Sequence, residues 1–206
     1  MDTARTALSK TQHWTTLASG LMLVLAATGA QAQAMLYDCN DPVLLHSSLP
    51  LDLSQAGINA HFTATGDGFS IQDPSQSLGL VPAGFSGYAI CPNGVFGGDL
   101  HVSFNVVLSD FSILVAPHEL ACDTSATLRV TGYLGANFVA TATSQATNPG
   151  TWPSSMLSLN APQGFNNVVV HYDSAPPPGS CDYGVIFAAD DMLATPLDKI
   201  FANGFE

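Results

Sequence analysis

The sequence predicts an all-β fold: a single β-sandwich of jelly-roll type behind an N-terminal signal peptide helix. Three observations lead there. Apolar residues alternate with polar ones in stretch after stretch, and helical periodicity is nearly absent beyond residue 34. Clusters of Gly, Pro, Asn and Asp separate these stretches. A chain of 206 residues, 47% of them hydrophobic, has material for one well-buried domain and is too apolar to be disordered.

Residues 1–34 read as a removable leader. Arg5 and Lys10 supply the positive start, and Leu17 to Ala27 is an apolar run too short to cross a bilayer comfortably. Ala32-Gln33-Ala34 is a small-residue cleavage site that would leave Met35 first; Ala30-Gln31-Ala32 is a second option. No other long apolar run follows, so no membrane span is expected in the mature chain. The expected organisation is a leader over 1–34, a sandwich over 35–195 and a tail over 196–206.

The strands follow in order. Ile58, Ala60 and Phe62 share one face, with Asn59, His61 and Thr63 on the other. Over Leu100 to Leu108 the inward set is Leu100, Val102, Phe104, Val106 and Leu108, and His101, Ser103 and Asn105 point outward. Asp110 starts a further run with Phe111, Ile113 and Val115 inward. Thr127 to Leu134 places Leu128 and Val130 opposite Thr127, Arg129 and Thr131. Asn137 to Thr143, Met156 to Leu159, Phe165 to Tyr172, Tyr183 to Ala188 and Met192 to Thr195 complete the set, Val168 to Val170 being β-branched and suited to a sheet centre.

Charge and cysteines narrow the class. Sixteen acidic residues face four basic ones, a net charge of −12, which excludes a nucleic-acid binder that must displace phosphate counterions. Beyond the leader only Arg129 and Lys199 are basic. Cys39, Cys91, Cys122 and Cys181 form an even set with no C-x-x-C spacing, which in an exported chain suggests two disulfides rather than a zinc site. Three pairings are open. Cys39–Cys91 with Cys122–Cys181 is favoured, because Cys122 and Cys181 both sit in loops just ahead of strand-like runs.

No catalytic signature emerges. Tyr88 stands where Gly84-Phe85-Ser86-Gly87 would need a final glycine for a nucleophile elbow, and Pro117-His118-Glu119-Leu120 has no second histidine at helical spacing. His61 and His101, on polar strand faces, could share a metal if their strands were neighbours, though solvated surface histidines are the commoner case. His171 precedes Asp173 closely enough for a His–Asp dyad. The loop carboxylates outnumber their cations, so calcium (Ca2+) is weighed as a cofactor against simple solvated acidity, with Asp190 and Asp191 as its first ligands and Asp173 and Asp182 as helpers. For a sugar ligand, Trp152, Tyr133, Tyr172 and Tyr183 are the aromatic candidates; for Trp152, closing one end of the core is the favoured reading.

Several segments carry a family resemblance: Thr127-Leu128-Arg129-Val130-Thr131-Gly132-Tyr133, Phe138-Val139-Ala140-Thr141-Ala142-Thr143, Phe165-Asn166-Asn167-Val168-Val169-Val170, and Ile186 through Met192. Across about residues 58–195 these resemble the secreted bacterial jelly-roll domains of PEP-CTERM-type exported proteins. The resemblance implies a galactose-binding-like β-sandwich that is a non-catalytic extracellular or cell-surface binding module, with extracellular polysaccharide or a surface component as partner. It places Asp191 at the family's recurrent acidic position. The chain lacks the Pro-Glu-Pro motif, membrane segment and basic cluster of that group. Its end, Asp198-Lys199-Ile200-Phe201-Ala202-Asn203-Gly204-Phe205-Glu206, resembles a short terminus on exported gammaproteobacterial proteins and implies a sorting or processing tag. The expected location is therefore outside the cytoplasm of a Gram-negative bacterium: secreted, periplasmic or at the cell surface. The competing readings are a structural envelope or matrix component, and a hydrolase of exported polysaccharide.

Overall fold

The computed structural model describes residues 33–79, 81–117, 127–145, 154–173 and 186–197. The chain divides into Met1–Ala30 and Gln31–Glu206, and every described residue belongs to the second unit. Calls on Cys122, Cys181, Asp182, Trp152, Tyr183, His118, Glu119, the leader before residue 33 and the tail beyond residue 197 lie outside the described residues.

The described strands are β1 (Met35–Tyr37), β2 (Leu51–Gln55), β3 (Ile58–Ala64), β4 (Phe69–Gln72), β5 (Ala89–Pro92), β6 (Leu100–Pro117), β7 (Thr127–Leu134), β8 (Asn137–Gln145), β9 (Ser155–Tyr172) and β10 (Phe187–Pro196). Single helical turns at Pro42–Leu44 and Pro74–Ser77 start alike. Asp41 and Asp73 cap them by accepting from Val43 N and Ser75 N, and a proline fills the first position, where no N–H is needed.

All pairings are antiparallel and link the strands into one continuous ten-stranded sheet. It folds over on itself because β6 and β9 are each 18 residues long and run through both leaves of a sandwich. In the first leaf the order is β2-β3-β6-β9-β7-β8, using Leu100–Ser103 of β6 and Asn167–Tyr172 of β9. In the second it is β4-β5-β10-β6-β9, with β1 also on β10. The corner lies where the β6–β9 register shifts, between Ser103 and Asp110. Gly164 sits there at φ +80°, and a Cβ on it would stand 2.4 Å from Val107 Cγ1.

This architecture is the all-β sandwich expected from the alternation, with one systematic difference. The separate runs expected at 100–108 and 110–115 are one strand, as are 156–159 with 165–172, and β10 runs unbroken through 188–192. Irregularities cause this. An extra residue at a bulge shifts the alternation by one, and in sequence the phase shift looks like an end. Val106, expected in the core, falls at the corner and is only partly buried.

Phe62, Phe111, Phe165 and Phe187 are fully buried and draw residues of both leaves into one core. A smaller cluster of Phe85, Ala89, Cys91, Ala116 and Ala188 lies on the outer side of the second leaf. This separation corrects the expected Cys39–Cys91 bridge: both are free, buried thiols. Cys39 packs in the main core, whereas Cys91 belongs to the outer cluster, on the other side of β5 from its neighbour Ile90. Burial pushes both thiols up to about 12.

Candidate functional site

The registers place a continuous set of polar side chains on the outer face of the first leaf. Thr63 pairs with His101, His101 with Val169, Val169 with Thr131 and Thr131 with Thr141, so these five residues form one row across the strands. Two residues along, Arg129 stands between His171 and Thr143. Two residues the other way, His61, Ser103, Asn167 and Tyr133 form a further row. The same strands turn Leu100, Val102, Val168, Val170, Leu128 and Val130 inward, so alternation alone separates core from site.

Hydrogen bonds tie this face together. His171 Nδ1 donates to Asp99 Oδ1 at 2.5 Å, and Asp99 Oδ2 lies 4.0 Å from His101 Nε2, which has no hydrogen-bond partner among the described residues. His171 Nε2 lies 3.9 Å from Asp173, whose Oδ1 takes both Nε and Nη2 of Arg129 at 3.1 Å. Arg129 Nη1 donates to Thr131 Oγ1, which is 3.2 Å from Thr141 Oγ1. Further along the face, His61 pairs with Asp52 across β2–β3 at 2.7 Å.

An aromatic pair borders the network. Tyr133 and Phe138 meet edge to face, centroids 6.4 Å apart and planes at 81°, and Phe138 is 63% exposed. Their connecting turn is anchored to β9: Gly135 N donates to Asn166 Oδ1, and Asn167 Nδ2 donates to Gly135 O.

Of the carboxylates weighed for calcium, Asp182 lies outside the described residues, and Asp173 stands apart from Asp190 and Asp191. Asp173 follows β9 at the first-leaf end, whereas Asp190 pairs with Leu114 and, through it, stands level with Met156 at the opposite end of that strand. Asp190 and Asp191 are neighbours at a β10 irregularity where Asp191 takes φ +44°. Asp190 is 2% exposed, and its carboxylate accepts from Ser86 N and Asp191 N, both at 2.9 Å. Burial pushes it up to about 6; the Ser86 bond opposes this, and Asp191 and Asp38 add to it. Asp191 is also raised, by burial and then by Asp38. No group of three metal-capable side chains occurs among the described residues. The His61 and His101 strands are indeed neighbours, but His61 bonds Asp52, whereas His101 stands 4.0 Å from Asp99, which His171 holds.

Of the aromatic candidates, Tyr133 stands on the outer face, whereas Tyr172 is turned into the core and buried. Phe138 and Asp99 were not singled out from sequence. Phe138 is found by noting that the second residues on either side of the two-residue turn Gly135-Ala136 are Tyr133 and Phe138 and face each other, and Asp99 by its spacing of two from His101 in an extended run.

No family model and no curated protein matches the sequence. Among solved structures, the chain is similar to a DUF4465 family protein from Bacteroides caccae at 16% identity and TM-score 0.45, covering 80% of this chain and 86% of that one. A mutant of a family 29 carbohydrate-binding module matches at 10% identity and TM-score 0.36, over 84% and 100% of the two chains. The Arthrobacter globiformis T6 isomalto-dextranase complexed with panose matches at 14% identity and TM-score 0.35, over 80% of this chain and 32% of that one.

Proposed function

We propose that this chain is an exported, non-catalytic module that binds a neutral polysaccharide on the outer face of its first leaf. The observation that carries this is the exposed Phe138, braced at a right angle by Tyr133 and bordered by Asn, Ser, His and Thr side chains. A pyranose ring is amphipathic: its C–H face stacks on an aromatic plane while its hydroxyls bond to polar neighbours. An apolar ring held in water beside convergent polar groups suits that shape.

Charge selects among glycans. Asp52, Asp99 and Asp173 line the face of a chain whose net charge is −12, so uronic or sulfated polymers meet repulsion and neutral ones do not. Export after cleavage before Met35 belongs to the same proposal, and N-terminal sequencing of the secreted product checks it.

The test is affinity electrophoresis through gels containing dextran, xylan, glucomannan or mixed-linkage glucan. Wild type is retarded by at least one of them, and Phe138→Ala and Tyr133→Ala weaken that retardation about tenfold, ~1.4 kcal/mol. Free migration of the wild type through every neutral polymer refutes the proposal.

A further inference from the structure

A second exposed aromatic, Phe96, lies in the loop that leads into β6 at one end of the first leaf. Residues 93–99 form a loop whose tip exposes Val95 and Phe96, at 51% and 74%. Apolar loop tips in water are usually loose, but this one is fastened on both sides. Asp67 Oδ2 accepts from Phe96 N at 3.2 Å, and Asn93 N donates to Gly68 O at 3.0 Å. Asp99 N donates to Thr65 Oγ1 at 2.8 Å, and Thr65 N donates to Asp99 O at 3.1 Å. The two loops touch backbone to backbone. A Cβ on Gly98 would stand 2.0 Å from Thr65 O, and one on Gly66 would stand 2.5 Å from Gly97 O, so glycine is required at both. The tip is thus ordered in advance, and a ligand stacking on Phe96 loses little loop entropy.

The loop is continuous with the polar face. Thr65, Gly97, Gly98, Asp99, His171 and Tyr172 line a notch of about 90 Å³ between the tip and the Asp99–His171 pair. From the row of Tyr133 to Asp99 is four residues along β6, about 13 Å, and from β8 to β6 is three strand spacings, about 14 Å. Phe138 and the Phe96 loop therefore stand ~20 Å apart on the diagonal, with hydrogen-bonding side chains between them.

We infer that Phe96 is a second stacking subsite of the glycan face, so that the ligand is a polymer chain held along an extended stretch rather than a single sugar or a chain end. This rests on the glycan reading above. A monosaccharide reaches one aromatic only, whereas a chain crossing the face reaches both and gains their sum without a second entropy loss.

The experiment is a calorimetric titration with graded cello-, xylo- and isomalto-oligosaccharides, from the monosaccharide upward, and with the parent polymers. Phe138→Ala should weaken every length that binds. Phe96→Ala should weaken only the long members and the polymer, about tenfold, and Phe96→Trp should restore them. Wild-type affinity of Phe96→Ala for the polymer, or equal weakening at all lengths, overturns this inference and leaves the glycan reading standing. Failure of the wild type to bind any member overturns both. Sedimentation of wild type and Phe96→Ala guards against another occupant: self-association that Phe96→Ala abolishes would assign the tip to a second copy and overturn the subsite.

Discussion

The outer faces of the two leaves are built from the same kind of strand and end in opposite states. On the second leaf, small side chains at Ala89, Cys91, Ala116 and Ala188 leave a shallow apolar floor, and Leu78 and Phe85 pack on it. Asp190 holds Ser86 N, and Ser154 Oγ donates to Ala83 O, so the cover is clasped from two strands. On the first leaf, the matching positions carry His, Arg, Asp, Thr and Asn, bonded to one another. Alternation makes either kind of face. Side-chain size and polarity decide whether the chain folds back over it or leaves it open to water.

Three changes test that contrast, from the largest effect to the smallest. Phe165→Ala removes a ring from the core that both leaves share and should cost about 3–5 kcal/mol in chemical denaturation, with the two faces lost together. Loss of one face with the other intact would show that the leaves fold separately.

Asp190 tests the clasp. Its native pKa of about 6 lies above its ordinary value of 3.8, so the folded state holds the proton more firmly. Its contribution is complete below about pH 4 and is lost as pH rises through about 6, on the order of 3 kcal/mol. Urea titrations across that window should show this decline in wild type and a flatter profile in Asp190→Asn. An unchanged slope in the variant would show that another group governs it.

Arg129→Gln should matter least for stability. Its pair with Asp173 is about one-third exposed on both sides, and the loss should stay below about 1 kcal/mol and shrink further in high salt. A loss of several kcal/mol would mean that the polar face is structural after all.

Much of the first leaf was readable before the fold was known. Leu100-His101-Val102-Ser103-Phe104 and Thr127 through Val130 alternate cleanly because one side is core and the other is water. β5 was missed for the opposite reason: Ala89, Ile90 and Cys91 are all buried between core and cover, so no polar residue marks a period. The site divides the same way. Tyr133 was legible as an aromatic on an alternating strand, whereas the Asp99–His171 bond joins residues far apart in the chain and depends on β6 lying beside β9. The expected thiol pairing failed on a matter of sides, since an even cysteine count does not say which face of a strand each one occupies.

The sharing of β6 and β9 between leaves bears on how the chain acquires its fold. β9 lies at the centre of the first leaf yet is made late, and β10, later still, separates β5 from β6 in the second. Neither leaf can close until nearly all of the polypeptide is present, so early segments hold no finished hydrophobic nucleus to commit them. A chain wired this way stays uncommitted while it is being synthesised, and its sandwich closes only once β10 has been made.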